Sequence, residues 1–260
     1  MTTWLGKHRI DLEACGSTND EAARLARAGA SHGTIVVAEQ QTAGRGRDGR
    51  SWRSPRGNLY LSAVVRPPIA LAMVPPMTLA IGIGVCDAIR ASGVMGRLKW
   101  PNDVLVDDHK IAGVLVEAQS QGSRLETVIV GIGANITEAP VDLPATFLEE
   151  HCGPIDRELV IERVCTHVER WIDRYVAIGL PSIIEAWQSR MATGLFARAD
   201  ISAPSGAPLI GELVGLDVDG ALLLRASDGE IHRVRSGDVE VIRNTHVPGD
   251  GAAHVLRPIA

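Results

Sequence analysis

Apolar residues recur along the chain with two periods. The helical period shows first in the alanine- and leucine-rich run at 19–28. Thr18 followed by Glu21 fits a capping box, and Gly29 fits a stop just past the last turn. "TIVVA" (34–38), β-branched and bounded by Gly33, and the alternating "LYLSAVV" (59–65) predict strands. Pro76 suits the first turn of a helix that runs through "MTLAIGIGVCDAIRAS" to Gly93. "DVLV" (103–106), "DDH" and "KIAGVLVEA" (110–118) predict a hairpin, and "TVIVGIGANI" (127–136) a buried strand. Helical spacing returns over 157–178, and another helix follows Pro181. Strand pairs mixed with helices predict an α/β (α+β) domain.

The pattern changes after about Gly194. Only short strand-like runs follow, "ARADISA", "LIGELVGL", "ALLLRA", "EIHRVR" and "VEVI", separated by turns such as Asp219-Gly220 and Asp228-Gly229. A main domain over 1–194, a small barrel over 195–245 and a tail over 246–260 are the expected organisation. So small a barrel would be marginal alone and is expected to pack on the main domain.

With 45% hydrophobic and 22% charged residues the chain reads as globular, not disordered. A net charge of −5 excludes wholesale nucleic-acid binding, so a basic patch must be local. No stretch approaches the ~18 uninterrupted apolar residues of a membrane span, and no secretory signal precedes residue 20. Cys15, Cys86, Cys152 and Cys165 form no C-x-x-C pair and are expected to be reduced thiols of a cytoplasmic protein. His151-Cys152 lacks the second pair that a metal site needs.

The chemistry begins at "QTAGRGRDGRSW" (41–52). Gly44, Gly46 and Gly49 spell G-x-G-x-x-G after a strand, but "SWRSPRGN" follows, where Pro55 and Gly57 oppose a helix. No Asp or Glu lies between Asp48 and Asp87 to hold a ribose, so the dinucleotide reading fails. Five arginines against one aspartate between Gly44 and Gly57, with Trp52 beside them, allow a nucleic-acid module as a minor reading. Alternating Gly and Arg better suits a small anion, a carboxylate or a nucleotide α-phosphate, because open backbone N–H groups and fixed cations come together. "LKWPND" (98–103), Lys110 and Gly113 of "KIAGVLVE", and "GIGAN" (131–135) add cations, an amide and close-approach glycines in order.

In these segments, together with "GSTND" (16–20) and "NLYLS" (58–62), the chain resembles the biotin–protein ligases in their short form. The resemblance implies a mixed sheet with helices, shared with class II aminoacyl-tRNA synthetases, followed by an SH3-like barrel. It implies that biotin and Mg-ATP give biotinyl-5′-adenylate and pyrophosphate, and that a lysine of a biotin carboxyl carrier domain then displaces AMP. Ser17, Thr18 and Gln41 resemble the partners of biotin's ureido ring, whose polar groups must be matched when desolvated, and Asn19 falls among the biotin-binding residues. Gly44, Arg45, Gly46 and Arg47 resemble the loop that closes over biotin and the adenylate. Gly113, Gly131 and Gly133 let the backbone approach the ligand. Lys110, with Arg45, resembles the cation near the biotin carboxylate and α-phosphate. Arg50, Trp52, Lys99, Asn102, Asp103 and Asn135 fall on the ATP side, Trp52 for stacking, Asp103 also as a magnesium ligand or as the base for the acceptor lysine. The same fold in lipoate or octanoyl transfer is the nearest rival. No specific DNA binding and no membrane are expected, and exposed sheet edges allow a homodimer.

Overall fold

The computed structural model describes residues 2–192, 196–200, 209–235 and 238–242. In chain order the elements of the first part are β1 (Arg9–Leu12), α1 (Thr18–Arg27), β2 (Ile35–Ala38), β3 (Leu59–Val65), α2 (Val74–Ala91), β4 (Arg97–Lys99), β5 (Asp103–Val106), β6 (His109–Gln121), β7 (Arg124–Ala134), α3 (Leu148–Cys152), α4 (Arg157–Ile178) and α5 (Leu180–Gln188). The strands form one sheet in the order β1-β2-β3-β7-β6-β5-β4, with only the β1–β2 pair parallel. This is the mixed α/β sheet that the sequence pattern predicts.

Because strand side chains alternate, the sheet has two unlike faces. Val37, Leu61, Val114, Val130 and Ile132 point to one of them and pack beneath α2 and α4 in the main core. Each fully buried aliphatic side chain there contributes about 1.5–3 kcal/mol. The opposite face carries a small cluster of Ala22, Ala26, Val36, Val64 and Ile129 under α1. Beyond that cluster the face is open to function.

Helix α2 is apolar on nearly every side and, with the turn before it, long and apolar enough to cross a membrane by length and composition. That corrects the expectation from uninterrupted runs. Its residues are mostly buried between the sheet and α4, as suits the central helix of a core. Close contact with α4 depends on Gly84, where a Cβ would stand 2.7 Å from Val168 Cα.

The second part holds β8 (Phe196–Asp200), β9 (Leu209–Leu216), β10 (Leu222–Arg225), β11 (Ile231–Val234) and β12 (Asp238–Ile242), an antiparallel sheet in the order β11-β10-β9-β8-β12. The expected end of the "ARADISA" run and the tail at 246–260 lie outside the described residues. The small sheet does pack on the main domain: Trp100 Nε1 donates to Gly220 O at 3.1 Å, and Gln188 Nε2 to Leu216 O at 3.3 Å.

Local expectations shift in four places. Strands β1 and β4 and helix α3 are too short to show a period. Strand β6 begins at His109, because Asp107 and Asp108 alone make the turn with φ of 46° and 63°, a conformation that aspartate tolerates. Strand β6 also runs on to Gln121, with polar residues at its far end. Finally, the helix cap is Ser17, not Thr18: Glu21 N donates to Ser17 O, while Thr18 turns its hydroxyl to Gln41.

Gly84→Ala should force α2 and α4 apart and destabilise the fold by about 1–3 kcal/mol. Thermal unfolding checks it, and the melting temperature should fall by several degrees.

Candidate active site

The open face of the sheet has almost no side chains at its centre. Gly113 of β6 lies opposite Gly133 of β7, Leu115 opposite Gly131, and β3 brings Tyr60 and Ser62 beside Gly133 and Gly131. The result is a trough with a backbone floor. The indole of Trp52 rests in it: a Cβ on Gly133 would meet Trp52 Cε2 at 2.6 Å, and one on Gly113 would meet Cζ3 at 3.2 Å. Trp52 Nε1 is buried there without a hydrogen-bond partner, which costs roughly 1–3 kcal/mol. A flat ring therefore fits this floor, and a ligand that takes it must displace the indole.

One end of the trough is a polar pocket made by the start of α1. Ser17, Thr18 and Asn19 are all buried. Thr18 N and Oγ1 donate to Gln41 Oε1 at 2.8 and 3.1 Å, and Gln41 Nε2 donates to Ser54 Oγ at 2.8 Å. Ser62 Oγ lies 2.7 Å from Thr18 Oγ1 and 2.6 Å from Asn19 Oδ1. Asn19 occupies the space above Gly131, where a Cβ would come within 2.2 Å of its Oδ1. Helix geometry brings 18 and 19 to the sheet, and the bridge between Cys15 and Gln41 brings the loop to the helix.

The arginine loop folds on itself: Gly46 N donates to Arg50 O at 2.7 Å and Trp52 N to Gly44 O at 2.8 Å. Gly44 has no room for a side chain, since a Cβ would meet Ser54 Oγ and Trp52 O at 2.6 Å; Gly46 has room. Arg45 reaches Asp20 at 2.8 Å and Glu117 at 3.2 Å, Arg53 pairs with Asp142 at 2.6 Å, and Arg56 pairs with Glu13. Three of the five arginines thus face carboxylates of this chain, which removes the continuous basic strip that a nucleic acid would need.

The other end of the trough is charged. Asp103, first residue of β5 and opposite Gly113, lies 2.7 Å from Lys110 Nζ and 3.2 Å from Lys99 Nζ. Burial alone would push its carboxyl up, but the two ammonium groups outweigh this and hold it below the usual carboxylate value. Lys110 Nζ stands 5.1 Å from the Trp52 ring centroid with a side chain one-third exposed, so it sits at the rim between trough and water. An Asp103 so engaged is a weak base, and both its oxygens face ammonium groups, so it does not fit a magnesium ligand here.

Other residues singled out in the sequence lie elsewhere. Arg47 reaches an apolar cavity of about 620 Å³ behind the Trp100-Pro101 turn, lined also by Leu79, Val114, Val116 and Ala221. Asn102 Nδ2 donates to Val114 O and Asn135 Nδ2 to Thr146 O, so both amides hold backbone in this structure. Arg50 lies on the exposed turn of the loop. His151 Nε2 lies 2.7 Å from Thr146 Oγ1 rather than with Cys152. Missed were Ser54, Ser62 and Glu117, although period-two alternation puts Ser62 and Glu117 on the face of Gly131 and Gly113.

These features compare directly with known proteins. The family model described as Biotin/lipoate A/B protein ligase family matches residues 15–135, and that described as Biotin protein ligase C terminal domain matches 203–241. The bifunctional ligase/repressor BirA of Bacillus subtilis is 36% identical over 249 residues, 92% of this chain and 76% of that protein. The biotin--[acetyl-CoA-carboxylase] ligase of Paracoccus denitrificans is 34% identical over 229 residues, covering 84% and 94% of the two chains. Among solved structures, biotin protein ligase from Aquifex aeolicus in complex with biotin and ATP superposes with a TM-score of 0.78 at 30% identity, covering 92% of this chain and 100% of that one. The chain belongs to the biotin/lipoate A/B protein ligase family, on the branch of the biotin protein ligases.

The lowered carboxyl of Asp103 carries a pH signature. A depressed folded-state value stabilises above the ordinary carboxylate range and loses that contribution as the carboxyl protonates below it. Acid unfolding of Asp103→Asn should be shallower than the parent's below about pH 4, as followed by circular dichroism; equal slopes would mean that the Lys99–Asp103–Lys110 group does not hold the fold together.

Proposed function

We infer that the protein is an ATP-dependent biotin–[biotin carboxyl carrier protein] ligase. The observation that carries this is the glycine-floored trough running from a buried polar pocket to Lys110. The polar end suits a ureido ring, whose N–H and C=O groups meet Thr18, Asn19, Gln41 and Ser62. The floor takes the flat bicyclic body, and Trp52, displaced from the glycines, is free to stack on adenine. The biotin carboxylate then falls near Lys110.

In the first step a carboxylate oxygen bonds to the α-phosphorus of Mg-ATP and the bond to pyrophosphate breaks. Both reactants are anionic, so a fixed cation between them lowers the barrier in both directions. Asp103 holds Lys110 in place while Lys99 shares its charge. Magnesium belongs to the ATP substrate, as the counter-ion of its phosphates. In the second step the amine of the carrier lysine attacks the acyl carbon, loses a proton and releases AMP; no enzyme nucleophile is needed. Beyond Val114 the edge of β6 carries no further strand among the described residues. That edge offers pairing either to the carrier domain or to a second copy. Four unbridged cysteines agree with a reducing cytoplasm.

The experiment is pyrophosphate exchange with biotin and lipoate side by side. Exchange should require biotin; dependence on lipoate alone would overturn the reading. Lys110→Gln, folded by circular dichroism, should lose about two to three orders of magnitude in rate, and Lys110→Arg should recover only part, since its guanidinium is a planar fork. Parent-like turnover of Lys110→Gln would remove Lys110 from the centre of the site.

A further inference from the structure

Glu117 is the polar residue of β6 that points onto the open face two positions beyond Leu115, opposite Ile129. Its Oε2 accepts from Asn19 Nδ2 at 2.5 Å, and both its oxygens lie 3.2 Å from Arg45 NH2. One carboxylate therefore touches the polar pocket and the arginine loop at once. We propose that Glu117 is a positioning residue that sets the hydrogen-bond polarity of the biotin pocket and seats Arg45 over it. The proposal rests on the reading that the trough binds biotin.

Donor counts fix the polarity of this pocket. An ionised carboxylate only accepts, so the nitrogen of the Asn19 amide must face Glu117 and its oxygen must face Ser62. Ser62 has one proton and two neighbouring oxygens, Asn19 Oδ1 and Thr18 Oγ1. With Asn19 presenting its oxygen, Ser62 donates to Asn19, while the Thr18 hydroxyl keeps its proton on Gln41 Oε1. The chain from Ser62 through Asn19 to Glu117 then has a fixed direction, and the pocket presents a defined set of donors and acceptors. Without the carboxylate the Asn19 amide can turn over, and a ligand must pay to restore the order.

Charge seats the loop. Arg45 is shared between Glu117 and Asp20, the latter at 2.8 Å and on the outer side of α1. Asp20 touches Arg45 and not Asn19, so the two roles of Glu117 are separable. With Arg45 anchored, the loop stays over the site and retains the adenylate between the two half-reactions.

Four variants test this: Asn19→Ala, Asp20→Asn, Glu117→Gln and Glu117→Val. Biotin KM and kcat are read by pyrophosphate exchange, and adenylate escape by the free biotinyl-adenylate that appears without acceptor. Asn19→Ala and Glu117→Val should raise biotin KM roughly tenfold, a rise larger than any change in kcat because Lys110 and Asp103 are untouched. In Glu117→Gln the amide oxygen still accepts from Asn19, so its KM should rise clearly less than that of Glu117→Val. Escape should quicken in both Glu117 variants and in Asp20→Asn, which should leave KM at the parent value. If Asn19→Ala raises KM while both Glu117 variants match the parent in KM and escape, the role of Glu117 is refuted and the biotin reading stands. If Asn19→Ala also matches the parent, biotin does not use this pocket and both fall. Should Glu117→Val melt early, Glu117→Gln and Asp20→Asn decide alone: faster escape in both supports the proposal, and parent-like escape overturns it.

Discussion

The site depends on a stretch of sheet where one face carries glycine at three neighbouring positions. A β-sheet face normally fills with alternating side chains, and the main core uses its other face in that ordinary way. At Gly113, Gly131 and Gly133 the open face drops to the level of the backbone, and no larger residue would leave the same depth. Everything else is arranged around this gap: α1 closes one end with polar groups, the Asp103–Lys110 pair marks the other, and the arginine loop lays Trp52 across the middle. The glycines cost chain entropy and packing, and the neighbouring strands β3 and β6 offset that cost by fixing the backbone from both sides.

The charges are distributed to match. Asp103 is buried and doubly paired, so the lysines around it are held in position before any anion arrives. Preorganisation of this kind avoids the reorganisation that mobile side chains would undergo during the reaction. The loop arginines follow a different logic. Arg45, Arg53 and Arg56 are held by carboxylates from separate stretches of the chain, so the loop is tied to its surroundings by pairs that are largely exposed, weak and exchangeable. Lysines held by a buried carboxylate for the chemistry and surface pairs for the cover fit a site that must open between steps.

Much of this was legible in the residues. The apolar periods located α1, α2, α4 and most strands, and the glycines and cations read in order led to the correct family. The pattern failed where context decides. Thr18 reads as a cap by spacing, yet the neighbouring Gln41 and Ser62 draw its hydroxyl away. The amides of Asn102 and Asn135 hold the backbone of β6 and of the segment before α3, contacts that their spacing does not encode. Arg45 and Arg47 are two positions apart and turn to different places, one to Glu117 and the other to the cavity behind Trp100. Ser62 and Glu117 close the segments "NLYLS" and "KIAGVLVE", but only the sheet register shows that they meet across strands beside the glycines. Short elements such as β1, β4 and α3 exist because their neighbours hold them, which no local pattern encodes.

The central claim is that the glycine floor receives the flat body of biotin. The most direct measurement is calorimetric titration of biotin into the parent and into Gly133→Ala. The added methyl projects onto the floor, where it meets the movable Trp52 ring in the empty protein and the ligand in the complex. The account expects the melting temperature to stay near that of the parent while biotin affinity falls by about 1–3 kcal/mol, a loss of roughly five- to 150-fold. Undiminished biotin affinity in a folded Gly133→Ala protein would contradict it.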